Sequence, residues 1–309
     1  MKRAVALVLG TFVSIGVLVA AGVPAVLAEP ASTTPATRID HPNSASTVVR
    51  GINDDGHMVG FYLDKTKKIH GFLFFDGQFT PIEVPNASGT VAGGINDAGV
   101  IVGYFIDAGG VSHGYMLSAG RFTMIDVPGA AATYADDINA NGEIAGTYDD
   151  RSKHSHGFLL AGGHFSTFEV PGATTTLAYG INRAGQVVGY YEKDRVPHGF
   201  FFAAGQFTTI DVPNALKTWA WGMNDAGQIV GYYQDSAQSI HGFMRDVSGH
   251  VTTIDILGAD VTNVFGINDD GWMVGAEIHK GVYCGWSMPP SSGAGQYTCL
   301  PTQGTRSPL

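Results

Sequence analysis

Six copies of one segment run through this chain, and their regular spacing limits its fold more than any other feature. The copies open at Gly51, Gly94, Asp137, Gly180, Gly222 and Gly266, so the period is 42 to 44 residues. The fifth reads GMNDAGQIVGYYQDSAQSIHGFMRDVSGHVTTIDI. A unit of this length builds one small sheet and cannot bury its own apolar faces. It has to stack on its neighbours, as propeller blades and other repeat arrays do.

Within the fourth copy, TLAYGIN, QVVGYY, HGFFF and FTTIDVP alternate as short strands, separated by turn residues and one loop. Asn53, Asn96, Asn139, Asn182, Asn224 and Asn268 are each followed three residues later by glycine. That spacing suits a type I turn closed by a residue with positive φ, with the asparagine side chain accepting from its own turn. Both faces of each sheet are apolar. In the first copy His70, Phe72 and Phe74 point one way, Leu73 and Phe75 the other. Such a sheet must be sandwiched, and the expected architecture is an all-β, six-bladed β-propeller with one four-stranded blade per ~43-residue repeat. A glycine recurs inside every second strand, at Gly60, Gly103, Gly146, Gly189, Gly231 and Gly275, where it would let a neighbouring aromatic ring approach the backbone.

Strand polarity sorts the connections into two sets. The asparagine turns share a rim with the short turns such as Asp76-Gly77 and Ala119-Gly120. The variable loops LDKTKKI, IDAGGVS, DDRSKHS, EKDRVP and QDSAQSI share the opposite rim with the links between repeats. Variable loops are where ligands commonly bind, so the loop-rich rim is the expected functional face.

The third strand carries HGF at 70, 156, 198 and 241, HGY at 113, and CGW at 284. With the preceding Gly-Ile-Asn-x-x-Gly-x-Ile-Val-Gly pattern, residues 51 to about 288 resemble the HAF family of extracellular repeats, in which the triplet is His-Ala-Phe. The resemblance implies an exported bacterial protein with a repeat fold. It supplies no catalytic residue or cofactor.

The ends of the chain divide it further. Residues 1–28 have two basic residues, a long apolar run and small residues up to Ala28, the pattern of a secretory signal; an uncleaved membrane anchor is the alternative. Residues 29–36 form a Pro/Thr/Ser lead-in, 37–302 the repeat domain, and 303–309 a tail. TRIDHP, 37–42, is a stray copy of the segment that ends each repeat, such as TPIEVP at 80, and offers a strand to close a ring or cover an edge. After signal cleavage no span remains, so a secreted, periplasmic or cell-surface monomer is expected. Net charge is -10 with no basic cluster, which argues against nucleic acid.

Three constellations could carry chemistry. Hairpin counting places His70 opposite Glu83, His113 opposite Asp126, His156 opposite Glu169, His198 opposite Asp211, and His241 opposite Asp255. These read as structural cross-strand pairs, with a metal or proton-transfer ring as the alternative. In the sixth copy Cys284 takes the histidine position and Cys299 the carboxylate position, so a disulfide is expected, which an exported chain permits. Finally, the first strands of later copies carry Tyr134, Tyr179, Trp219, Trp221 and Phe265 where the earliest copies have Val48, Arg50, Val91 and Gly93. They suit stacking on a sugar, a cell-surface glycan or another flat ligand at the loop-rich rim near the axis, or packing between blades. No phosphate loop, nucleophile elbow or zinc-helix motif occurs, and no cofactor is expected. The expected function is that of an extracellular binding or structural module. A polysaccharide lyase or hydrolase using rim acids such as Asp149, Asp150, Glu192 or Asp194 is the alternative.

Overall fold

The computed structural model describes residues 36–290, 295–297 and 299–300. The expected signal (1–28), nearly all of the lead-in and the tail lie outside them. Every regular element among the described residues is a β-strand, and none of those residues forms a helix long and apolar enough to cross a membrane. After β1 (Ala36–Ile39), the first repeat forms β2 (Ser44–Ile52), β3 (Met58–Asp64), β4 (Ile69–Phe75) and β5 (Gln78–Ile82). The second forms β6 (Gly89–Ile95), β7 (Ile101–Ile106), β8 (Ser112–Ser118) and β9 (Arg121–Ile125); the third β10 (Ala132–Ile138), β11 (Ile144–Asp149), β12 (Ser155–Ala161) and β13 (His164–Phe168). The fourth forms β14 (Thr175–Ile181), β15 (Val187–Lys193), β16 (Val196–Ala203) and β17 (Gln206–Thr209). Then come β18 (Lys217–Met223), β19 (Ile229–Gln234), β20 (Ile240–Arg245) and β21 (Val251–Ile256), followed by β22 (Val261–Ile267), β23 (Met273–His279), β24 (Val282–Met288), β25 (Gly295–Tyr297) and β26 (Cys299–Leu300).

The first four repeats are each a four-stranded antiparallel sheet in sequence order. The remaining ten strands form one hydrogen-bonded sheet, in which a single residue pair, Ile240 with Val261, joins β20 to β22. Strand β1 pairs antiparallel with β24, so the chain's first strand completes its last repeat. The first strands β2, β6, β10, β14, β18 and β22 touch in that order, and β22 touches β2, closing a ring.

The asparagine turns make that closure. In each turn the glycine N–H donates to the asparagine carbonyl, as in Gly56 to Asn53 at 3.1 Å, and the glycine φ is positive, +80° at Gly56. The asparagine Oδ1 accepts the N–H four residues on, from 2.8 Å at His57 to 3.0 Å at Val100. Its Nδ2 is left to reach the next repeat. Asn53 donates to the Asn96 carbonyl (3.2 Å), Asn96 to Asn139 (3.1 Å), Asn139 to Asn182 (2.9 Å), Asn224 to Asn268 (3.0 Å), and Asn268 back to Asn53 (3.1 Å). Between the fourth and fifth repeats the link shifts to the Arg183 N–H, which donates to Asp225 Oδ1 at 2.6 Å.

At the other rim a buried threonine starts every first strand and accepts the backbone N–H of the incoming link. Val84 donates to Thr90, Val127 to Thr133, Val170 to Thr176, Val212 to Thr218 and Ile256 to Thr262, all at 3.0 to 3.1 Å. Apolar clusters fill the interfaces between sheets. Ile39, Val49, Phe72, Phe74 and Val274, for example, bring β1, β2, β4 and β23 together.

As expected, an aromatic ring approaches the second-strand glycine at Gly60, Gly103, Gly146, Gly231 and Gly275, and a first-strand carbonyl comes closer still: a Cβ on Gly60 would lie 2.1 Å from the Val48 carbonyl oxygen and 3.0 Å from Phe72. The Val48 carbonyl comes this close beside a bulge in the first strand, where pairing skips a residue between Val49 and Gly51. The cysteine register differs from the expected one. Strand β1 lies between β24 and β26, so Cys299 pairs by backbone with Ala36 and does not stand opposite Cys284. Two strand spacings are about 9.6 Å, beyond the Cα separation of a disulfide. Asp40, at the carboxylate position of the stray TRIDHP copy, stands there instead and accepts the Gly285 N–H at 3.2 Å. Cys284 is buried, Arg38 donates to its Sγ, and burial pushes its thiol up to about 11. The Cys299 side chain lies outside the described residues.

Replacing Asn268 by alanine removes both the turn acceptor and the bond that closes the ring on Asn53. Its buried partners then lose their hydrogen bonds, and urea denaturation should show a loss of about 1–3 kcal/mol.

Candidate functional site

The bulge in each first strand puts one extra residue between paired positions, and a bulge re-aims the side chain it carries. The skipped residues are Arg50, Gly93, Asp136, Tyr179, Trp221 and Phe265, one per repeat and no two alike. All six line a cavity at the axis of the ring, with a volume of ≈ 770 Å³ including space open to solvent. Its outer wall consists of the asparagine turns, with Asp54, Asp97, Ala140, Arg183, Asp225 and Asp269 at the residue after each asparagine. The cavity therefore opens on the asparagine-turn rim, opposite the variable loops.

The floor of the cavity contains a buried ion pair. Arg50 and Asp136 are 8% and 5% exposed, and Arg50 Nη2 donates to Asp136 Oδ1 at 3.1 Å across the side-chain-free Gly93. The Arg50 guanidinium also lies 5.1 Å from the centroid of the Trp221 ring, a cation–π contact. Trp221 in turn stacks on Tyr179 at 3.9 Å and meets Phe265 edge-on at 4.8 Å. Asp137 adds a second carboxylate at the position where the other five repeats have glycine. Its Oδ1 accepts the Ile138 N–H at 2.9 Å and its Oδ2 the Ile181 N–H at 3.1 Å. The side chain fills the space that Gly94 leaves, since a Cβ there would lie 2.3 Å from Asp137 Oδ1.

Enclosure governs the protonation of this pair. Desolvation pushes Asp136 up to about 7 against the pull of Arg50. It also pushes Asp137 up to about 7, against two backbone donors and with the Asp136 charge adding to the rise. At the mouth, Asp54 and Asp269 are raised by desolvation, with neighbouring aspartates adding to the effect.

Of the aromatic residues expected at a ligand, Tyr179, Trp221 and Phe265 line this cavity, and Trp219 and Tyr134 do not. Trp219 is half-buried and stacks on Tyr232 at 5.0 Å, while Tyr134 is buried edge-on against Tyr104 at 5.0 Å. Sequence reasoning missed Arg50, Asp136 and Asp137. The signal for Asp137 was present, as one aspartate among five glycines at one repeat position.

The five histidines sit on third strands, about 10 Å outside the first ones, each within its own sheet. Their Nδ1 atoms donate to Glu83 (2.6 Å), Asp126 (2.8 Å), Glu169 (3.2 Å), Asp211 (2.6 Å) and Asp255 (2.9 Å). In four repeats Nε2 faces a second carboxylate, on Asp64, Asp107, Asp150 or Asp235, at 3.3 to 3.6 Å. The hydrogen bond to Asp255 raises His241 above its ordinary pKa. Among the described residues no group of three or more His, Cys, Asp or Glu is arranged to hold a metal. Of the loop-rim acids, Asp149 accepts from Ser155 Oγ at 2.6 Å and Asp150 accepts the His154 N–H at 2.9 Å.

No protein-family model matches the sequence, and no curated protein sequence matches it. Solved structures do match. SapL1 lectin, solved in complex with alpha methyl fucoside, has a TM-score of 0.53 at 12% identity, covering 82% of this chain and 97% of the lectin. AofleA from Arthrobotrys oligospora has a TM-score of 0.51 at 13% identity, covering 78% and 85%. TolB from Acinetobacter baumannii has a TM-score of 0.51 at 10% identity, covering 84% and 67%. These likenesses establish the fold, an all-β propeller.

Proton binding makes the buried pair testable. Because Asp136 and Asp137 have folded pKa values above their unfolded ones, the folded state holds more protons between about pH 4 and pH 7, and stability should fall as pH rises through that window. Urea midpoints across it should decline in the wild type and decline less in Asp137→Gly. His156→Ala loses a pair whose Glu169 partner is largely exposed, so it should cost only about 0.2–1 kcal/mol by the same method.

Proposed function

We propose that this protein is an exported, six-bladed propeller of the HAF type that works as a binding module, with its ligand site in the axial cavity. The count of six blades treats the ten-stranded sheet as two blades, β18 to β21 and β22 to β24 with β1, because one residue pair alone joins β20 to β22. Export rests on the apolar segment before Ala28. A carbohydrate or cell-surface component remains the favoured class of partner, and the lectin likeness is compatible with it.

One observation carries the binding reading: the repeat symmetry is broken where the cavity lies. The asparagine turns, the link threonines and the histidine pairs recur from repeat to repeat, whereas Arg50, Gly93, Asp136, Tyr179, Trp221 and Phe265 all differ. Residues that hold a ring together are free to be alike; a site that recognises one ligand needs different groups on its different sides. Tyr179, Trp221 and Phe265 form its aromatic wall, and Trp219 backs that wall from outside the cavity. On the loop-rich rim, Asp149 and Asp150 accept from Ser155 Oγ and the His154 N–H, so the axial cavity, and not that pair of acids, carries this reading.

Ala140 is exposed on a turn at the cavity mouth, at a position that takes aspartate or arginine in other repeats. Ala140→Trp should cover the mouth without disturbing the fold. After a glycan and small-molecule panel identifies a ligand, calorimetry should show at least tenfold weaker binding to this variant, about 1.4 kcal/mol. A substitution on the opposite rim, Lys153→Trp, should leave binding unchanged. The reverse pattern would place the site on the loop-rich rim.

A further inference from the structure

We infer that the axial cavity is selective for a small organic cation, as a protonated amino sugar or amino alcohol is. This rests on the reading of the cavity as the binding site and adds the chemistry of the ligand. Three observations lead to it.

First, the cavity already holds a cation. The guanidinium of Arg50 is kept inside the ring by a carboxylate, Asp136, and by the face of Trp221. Those are the two interactions that stabilise a cation away from bulk water, and the protein uses both here. Second, Asp136 balances Arg50, and Asp137 then adds a second carboxylate to that one positive charge. Backbone N–H groups of Ile138 and Ile181 hold Asp137 in place, one on each of its oxygens. Its position is glycine in every other repeat, so the ring does not need a side chain there.

Third, the mouth is acidic in a way that the fold does not balance. Four of its six turn positions carry aspartate, and Arg183 alone is basic, 3.6 Å from Asp225. Asp54 donates its backbone N–H to Asp97, Asp225 to Asp269, and Asp269 to Asp54, so the carboxylates are drawn together around the opening. Their mutual repulsion helps to raise Asp54 and Asp269. A cation entering the mouth would relieve it, an anion would add to it, and a neutral sugar would leave it as it is.

The test uses pairs of probes that differ in charge. Glucosamine and ethanolamine would be titrated into the mature protein at pH 7, with glucose and N-acetylglucosamine as neutral counterparts, and binding followed by calorimetry and by NMR shifts of the Trp221 indole. The expected result is saturable binding of the cationic probes, at least tenfold weaker binding of the neutral ones, and weakening as salt is added. Asp137→Gly restores the residue found in the other five repeats, so it should fold normally and lose the cationic probes by at least tenfold. Equal affinity for charged and neutral probes, undiminished binding in a folded Asp137→Gly, or no saturation by either cationic probe would each overturn the inference. Ala140→Trp separates the two readings. If a neutral sugar binds and this variant blocks it, the cavity is the site and the cation preference is wrong; if every probe still binds to it, the cavity itself is not the site.

Discussion

The side-chain amide of the turn asparagine is the interaction on which the rest of the molecule depends. It closes its own turn through Oδ1 and reaches the neighbouring turn through Nδ2, as when Asn268 donates to Asn53 across the join between the last repeat and the first. Aspartate could make the first bond but would lack the donor for the second. A serine would be too short to make both. These asparagines are nearly fully buried, so each lost bond would leave an unpaired polar group in a low-dielectric interior. With the turns drawn together in this way, the first strands meet closely around an axis, and closely packed first strands leave room for few side chains.

That crowding explains the bulges and glycines together. Each first strand bulges before its turn, and the carbonyl displaced beside the bulge occupies the space where a second-strand Cβ would otherwise lie, as Trp219 does over Gly231. The bulged residue is released from the pleat and faces the axis. A device repeated for packing thus yields, as a by-product, six side-chain positions with no packing role in common. Five could be occupied by residues of very different size and charge, and Gly93 leaves the gap through which Arg50 reaches Asp136. The cavity and its charges are consequences of how the ring is closed.

The N-terminal strand shows a different dependence on closure. Residues 36–39 resemble the end of a repeat and are used as one, pairing with β24 so that the last repeat is completed by chain from the other end. The sixth repeat consequently obtains its carboxylate from Asp40, far back along the chain from Cys284 at the partner position. Nearest-neighbour hairpin counting works in the first five repeats, where His241 does reach Asp255 across a longer turn. It cannot work in the sixth, because the strand it needs is not next in sequence.

Sequence alone determined the features that local rules, repeated six times, dictate. The period, the four strands, the positive φ at Gly56 and its equivalents, and the partner of each histidine all depend on residues within one repeat, and repetition made each of them easy to read. The apolar character of both sheet faces required stacking between neighbours. Tertiary structure decided the rest, because it depends on groups that the chain brings together from different repeats. No count along the sequence places Arg50 beside Asp136 and over Trp221, since each is separated from the next by a whole repeat or more and only ring closure makes them neighbours. Nor could strand alternation show that the cavity opens among the asparagine turns: the bulge shifts the alternation by one residue at the very position that faces the axis, and pairing register, which reveals a bulge, exists only once the strands have met.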